Sequence, residues 1–165
     1  MKEEITRNCI SIKNFKGIEE QISVKIKLKE SSDDNHEENS ILVISIGDDP
    51  IVMIPSRSFP SIEEIIEEII DNSFLSRCKE GMAPEEILLI GLDLDIRAWS
   101  KNYYDSHFLY YKISFPLLKR LREVGETKFQ IIFQQEILKR YATGSIQEKD
   151  YLEQEGYLTL ISDFF

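Results

Sequence analysis

The chain has 165 residues, is 42% hydrophobic and carries a net charge of −10. That length suits one ordinary domain with a real core, and that apolar fraction argues against a disordered chain. The acidic balance disfavours nucleic acid and anionic membranes as partners and favours a basic protein.

The charge is unevenly placed. Residues 31–95 hold sixteen acidic side chains against three basic ones, a net of −13, and the flanking segments are slightly basic. Such an excess would also serve solubility alone. Cys9 and Cys78 have no metal-ligand spacing, so free thiols in a reducing compartment are expected. No secretory leader opens the sequence and no apolar run approaches bilayer length, which predicts a cytoplasmic protein.

In chain order, residues 5–15 read as a first strand with Ile10 and Ile12 facing inward, and Gly17 marks a turn. Residues 21–29 are the clearest strand: Ile22, Val24, Ile26 and Leu28 alternate with Ser23, Lys25, Lys27 and Lys29. The two runs predict a hairpin. Residues 30–39 form an acidic polar loop. Residues 40–46 and 51–55 are unbroken apolar runs about a Gly47–Pro50 turn, the pattern of central strands.

Ser61–Leu75 predicts an amphipathic helix on which the core is organised. Ile62, Ile65, Ile66, Ile69 and Ile70 form its apolar stripe, and Glu63, Glu64, Glu67, Glu68 and Asp71 its opposite face. Ser61 with Glu64 is a capping box. No basic residue relieves the five like charges.

Pro84 can start a short helical turn. Residues 87–98 read as a strand, with Leu92, Leu94, Ile96 and Ala98 on one side and Asp93, Asp95, Arg97 and Trp99 on the other. Residues 107–113 read as another strand. Ser114 caps a helix that holds Pro116 in its first turn and ends at Gly125; Phe115, Leu117, Leu118 and Leu121 are its buried stripe. Residues 127–133 return as a strand. A helix over 134–141 follows, with Ile137, Leu138 and Tyr141 on one side. A second capping box, Ser145 with Glu148, opens a helix that stops at Gly156. The apolar tail is expected to dock and to add a strand. The sequence has no repeat or low-complexity linker, so residues 1–165 predict a single α+β domain. Its sheet is expected to be mostly antiparallel, packed with the acidic helix, a second helix and a helical C-terminal segment.

Several patterns bear on chemistry. Asp93 and Asp95, projecting from one strand face, could share a divalent cation. The GLDLDI pattern is similar to the Asp-hydrophobic-Asp strand of the nucleotidyltransferase superfamily. The Gly-Ser phosphate element of that family is missing; the nearest glycine, Gly81, is followed by Met82. A solvated strand face with Arg97 as counter-charge is the plainer reading. His36 and His107 lie in no ligand spacing and have no nucleophile signature beside them. The loop DDNHEEN lacks the glycine and terminal glutamate of a calcium loop. No dinucleotide or phosphate-loop pattern occurs, so no cofactor and no metal are expected. The aromatic group around Trp99, Tyr103 and Tyr104 suits either core packing or a protein-binding hot spot.

The segment HFLYYKISFPLLKRLREVGETKFQIIF, read as strand, capped helix and strand, resembles the closing unit of small bacterial immunity proteins of contact-dependent growth-inhibition and related polymorphic toxin systems. The resemblance implies a cytoplasmic α+β protein that blocks a toxin's active site, and it transfers no functional residue. The leading expectation is therefore a non-enzymatic protein that neutralises a basic partner, such as a toxin nuclease. Glu63, Glu64, Glu67, Glu68 and Asp71 would steer the encounter, and Trp99, Tyr103 and Tyr104 would anchor it. The alternatives are a metal-dependent enzyme using Asp93 and Asp95, or an adaptor subunit.

Overall fold

A computed structural model describes residues 4–27, 40–55, 61–70, 72–78 and 80–162. The acidic loop with His36, residues Leu28 and Lys29 of the second predicted strand, and Asp71 lie outside the described residues. The architecture is α+β, an antiparallel sheet followed by a run of helices.

Strands β1 (Glu4–Lys13), β2 (Glu19–Lys27), β3 (Ser40–Ile46) and β4 (Asp49–Pro55) form a sheet in the order β1-β2-β3-β4. The alternation in β2 does what it predicts. Ile22, Val24 and Ile26 are buried, and Ser23, Lys25 and Lys27 are only partly covered on the other side. β3 is interior, as expected, but β4 is an edge strand. In β1 a bulge lies between Asn8 and Ile10. The extra residue, Cys9, turns into the core and Ile12 follows it, so Ile10 is only half-buried.

Helix α1 (Ile62–Ile69) opens where the sequence says it should. Ser61 Oγ accepts the Glu64 amide at 3.3 Å. The helix ends sooner than the apolar pattern suggests, because Ile70 takes an extended backbone and a short turn, α2 (Asn72–Leu75), follows.

From here the structure departs from the sequence reading. Residues 87–98 are not a strand but the centre of α3 (Pro84–Lys101). Leu88, Leu92, Ile96 and Trp99 are buried at helical spacing, and Leu94 is 45% exposed. Residues 107–113 are also not a strand. They contribute to a 3-10 turn (Ser106–Phe108) and to the start of α4 (Tyr111–Val124). α4 therefore begins three residues before Ser114, which is buried inside it rather than capping it, and Pro116 lies in its interior. Gly125 follows its end as expected. Residues 127–133 are the opening turns of α5 (Lys128–Thr143), a third strand corrected to helix. α6 (Ile146–Gln154) starts on the second predicted capping box, with Ser145 Oγ accepting the Glu148 amide at 3.2 Å. The tail docks as α7 (Tyr157–Ile161) rather than as a strand, with Tyr157 and Ile161 buried.

One buried apolar cluster runs from the sheet through α1, α3, α4 and α5 to α7. α1 meets α3 at Gly91. A Cβ there would lie 3.0 Å from Ile70 Cδ1 and Cγ2 and 3.2 Å from Phe74 Cδ2. This contact sets how closely the segment just after α1 approaches α3. Gly91→Val should overpack the contact and cost about 1–3 kcal/mol. For Gly91→Ala the tight contact is offset by about 1 kcal/mol of helix propensity. Urea melts of the two variants test the difference, and equal midpoints would sink the close-approach argument.

Candidate functional site

The exposed face of α1 carries Glu63, Glu64, Glu67 and Glu68, all open to solvent. Glu63 lies one turn from Glu67 and Glu64 one turn from Glu68, so like charges face each other. Among the described residues none of the four forms an ion pair with lysine, arginine or histidine. Glu68 Oε1 accepts a hydrogen bond from the Tyr110 hydroxyl at 3.0 Å. Burial, then the charge and hydrogen bond of Glu68, push the Tyr110 hydroxyl well above the ordinary tyrosine range, so it stays protonated and donating.

Tyr110 also lines a cleft of about 510 Å³ beside the end of α1. Ile69 and Ile70 line it together with the 3-10 turn, whose Phe108 is 42% exposed. Asp95 of α3, Arg140 of α5 and Glu148 of α6 supply the charges. Ser106, His107, Arg140 and Glu148 of its lining belong to a polar network that is buried at Ser106, Glu136 and Arg140. Ser106 Oγ accepts from Arg140 Nε at 3.2 Å and Nη2 at 2.9 Å, and the Ser106 amide donates to Glu136 Oε1 at 2.7 Å. Arg140 Nη1 meets Glu148 Oε2 at 3.0 Å, and Lys139 Nζ bridges Glu136 at 2.9 Å and Asp105 at 3.2 Å. Asp105 Oδ1 lies 2.7 Å from His107 Nδ1 and accepts the His107 amide at 2.9 Å. Burial opposes ionisation of Asp105, but the His107 and Lys139 hydrogen bonds outweigh it and hold its pKa at about 2. The network locks the turn that carries Phe108 and Tyr110 onto α5 and α6. Sequence reading misses Glu136 and Arg140, although their four-residue spacing, in register with Phe133 and Ile137, is the available signal.

The structure does not bring Asp93 and Asp95 together as a pair. Two residues apart on a helix, they point to different sides. Asp95 faces the cleft. Asp93 is buried against the β1 bulge, where Arg7 Nε and Arg97 Nε both donate to it, the latter at 2.8 Å. The expected strand pair for a shared cation is corrected accordingly. Among the described residues no group of three or more histidine, cysteine, aspartate or glutamate side chains is placed to hold a metal ion. No helix among them is long and apolar enough to cross a membrane.

The three aromatic candidates separate. Trp99 has 0% of its surface exposed and cannot touch a partner; it is core. Tyr104 is half-buried, edge-on to Trp99 and to Phe129 at 4.9 Å from each. Tyr103 is 86% exposed. Both tyrosines sit at positive φ, 58° and 63°, a conformation non-glycine residues adopt at a cost. Seating the Tyr104 ring between Trp99 and Phe129 is what offsets it, and Tyr103 is carried outward as a result.

No protein-family model matches the chain, and no curated protein and no solved structure matches it either. The fold and site define an α+β protein with an antiparallel meander, a helical layer and an acidic helix face beside a mixed-charge cleft.

Proposed function

We propose that the protein is a non-enzymatic binding protein whose α1 face receives a basic partner. The observation that carries this reading is the set Glu63, Glu64, Glu67 and Glu68, exposed together and without an ion pair to a cationic side chain among the described residues. Adjacent like charges on a helix each cost a few tenths of a kcal/mol, so a face kept this way gives up stability for something else. A patch of one sign focuses potential and accelerates encounter with the opposite sign. The cleft beside it adds aromatic surface for short-range contact.

An immunity protein that covers the active site of a cognate basic toxin, such as a nuclease, is the case of this class that we favour. The likeness that suggested it, strand–helix–strand over residues 107–133, is not what that segment forms. The reading rests instead on the acidic face.

Reversing Glu63, Glu64 and Glu67 to lysine tests it. Against a basic protein co-purified on the immobilised chain, the association rate at low salt should fall by about ten-fold or more and lose most of its salt dependence. Unchanged association rates with an intact fold would refute the proposal.

A further inference from the structure

We infer that Arg7 and Arg97 form a binding site for one tetrahedral oxyanion of the phosphate class, where β1 meets α3. The site is separate from the acidic face of α1 and does not depend on it.

Two guanidiniums from different elements are fixed on one carboxylate. Arg7 Nε and Arg97 Nε donate to different oxygens of Asp93, which is 1% exposed. Each arginine is therefore tied by the nitrogen nearest its stem. Nη1 and Nη2 of both have no hydrogen-bond partner among the described residues, and both side chains are about half exposed. Such a planar fork of N–H donors is what lets arginine bind phosphate bidentately. A buried anchor removes rotamer freedom before a ligand arrives, a cost that binding otherwise carries.

The local charge favours an anion. Two guanidiniums share one buried carboxylate, so a positive excess stays at the surface of a chain whose net charge is −10. Asp93 is the one carboxylate that acts on Arg97. Glu4 lies on the opposite face of β1 from Arg7 and pairs with Lys25 at 3.6 Å. Lys101 stands one turn beyond Arg97 on α3, exposed and without an ion pair among the described residues. The number of donors selects the class of ligand. A carboxylate has two oxygens and fills one fork, whereas a tetrahedral oxyanion has enough oxygens to meet both forks at once.

The test is a phosphate titration of the full chain at neutral pH and constant ionic strength, followed on the Arg7 and Arg97 Nε–H resonances by NMR. Both resonances should shift together and saturate, and acetate should move them several-fold less. Arg7→Lys and Arg97→Lys keep the charge and lose the fork, so each should weaken phosphate binding about five-fold or more. Circular dichroism and melting temperature report the fold of each variant, and the comparison of phosphate with acetate on the wild type needs no variant. N-acetyl-phosphoserine amide is titrated in parallel. Tighter binding of the ester upholds the site for an esterified phosphate, and tighter binding of inorganic phosphate upholds it for the free anion.

Resonances that do not move with either phosphate compound would overturn the site. Acetate shifting them as strongly as phosphate would do the same, because no tetrahedral fit would remain. A folded lysine variant that binds phosphate like the wild type would also overturn it, since a point charge would then serve as well as a fork.

Discussion

Trp99→Ala is expected to destabilise the protein by about 3–5 kcal/mol, a large share of the roughly 5–15 kcal/mol that holds an ordinary domain folded. The indole is fully buried on α3, and its loss would open a void that also unseats Tyr104, whose ring stands edge-on to it at 4.9 Å and 88°. Tyr104 holds the positive φ of its own residue only because that packing offsets the strain. The damage should therefore spread into the turn after α3. Trp99→Phe should cost far less than the volume change suggests. Nε1 of the indole is buried without a hydrogen-bond partner among the described residues, and phenylalanine removes that unmet donor along with part of the ring. Tyr103→Ala, on the exposed neighbour, should leave stability within about 0.5 kcal/mol. Urea unfolding of the three variants gives the ranking. A small loss for Trp99→Ala would contradict its place in the core and reopen its role at a surface.

The same residue shows where sequence reading works and where it stops. The N-terminal half is legible because its periodicities do not compete. QISVKIK alternates strictly, and SIEEIIEEII repeats at helical spacing behind a serine cap. From residue 87 on, the two periods overlap. LDLDIRAW alternates as a strand would, yet Leu88, Leu92, Ile96 and Trp99 also lie four, four and three apart. Terminal chemistry decides between them. Pro84 stands at the first helical position, Glu85 and Glu86 fill the first turn, and Lys101 the last, all favourable to the helix dipole. A strand has no use for that arrangement. TKFQIIF is ambiguous in the same way. Phe129 and Phe133 are one turn apart on the buried side of α5, and Ile131 between them is exposed.

The site divides along a similar line. Glu63, Glu64, Glu67 and Glu68 can be placed on one face from spacing alone, because all four sit on one helix. The cleft cannot, since Asp95, Phe108, Arg140 and Glu148 come from four separate elements and only tertiary packing joins them. Asp93 illustrates the converse. Its neighbours in sequence suggest a wet face, but it is turned inward by a helix whose apolar side also meets the β1 bulge.

Asp93→Ala is expected to cost about 2–3 kcal/mol. A carboxylate with almost no exposed surface accepts from two guanidiniums, and hydrogen bonds to charged groups contribute about 1.5–3 kcal/mol each. The total is held down because Arg7 and Arg97 are both about half exposed and can turn to water once the carboxylate is gone. The pH dependence follows from the direction of its shift. Burial favours the neutral acid, but hydrogen bonds from Arg7, Arg97 and Cys9 outweigh it and leave the pKa below the ordinary aspartate value. A depressed carboxylate contributes stability that is complete above its unfolded pKa, roughly 3.9, and is lost as pH falls through the folded value. The gap in stability between wild type and Asp93→Asn should thus be constant from neutral pH down to about 5, then narrow in stronger acid. The carboxylate also acts on its neighbour: burial first, then the Asp93 charge and hydrogen bond, push the Cys9 thiol up to about 12. Asp93→Asn should therefore bring the Cys9 titration down, which loss of packing alone would not do. Denaturant melts across the acid range, with thiol absorbance on a Cys78→Ser background, measure both. A gap that widens toward low pH, or a Cys9 titration that does not move, would show that Asp93 is not ionised between its two arginines.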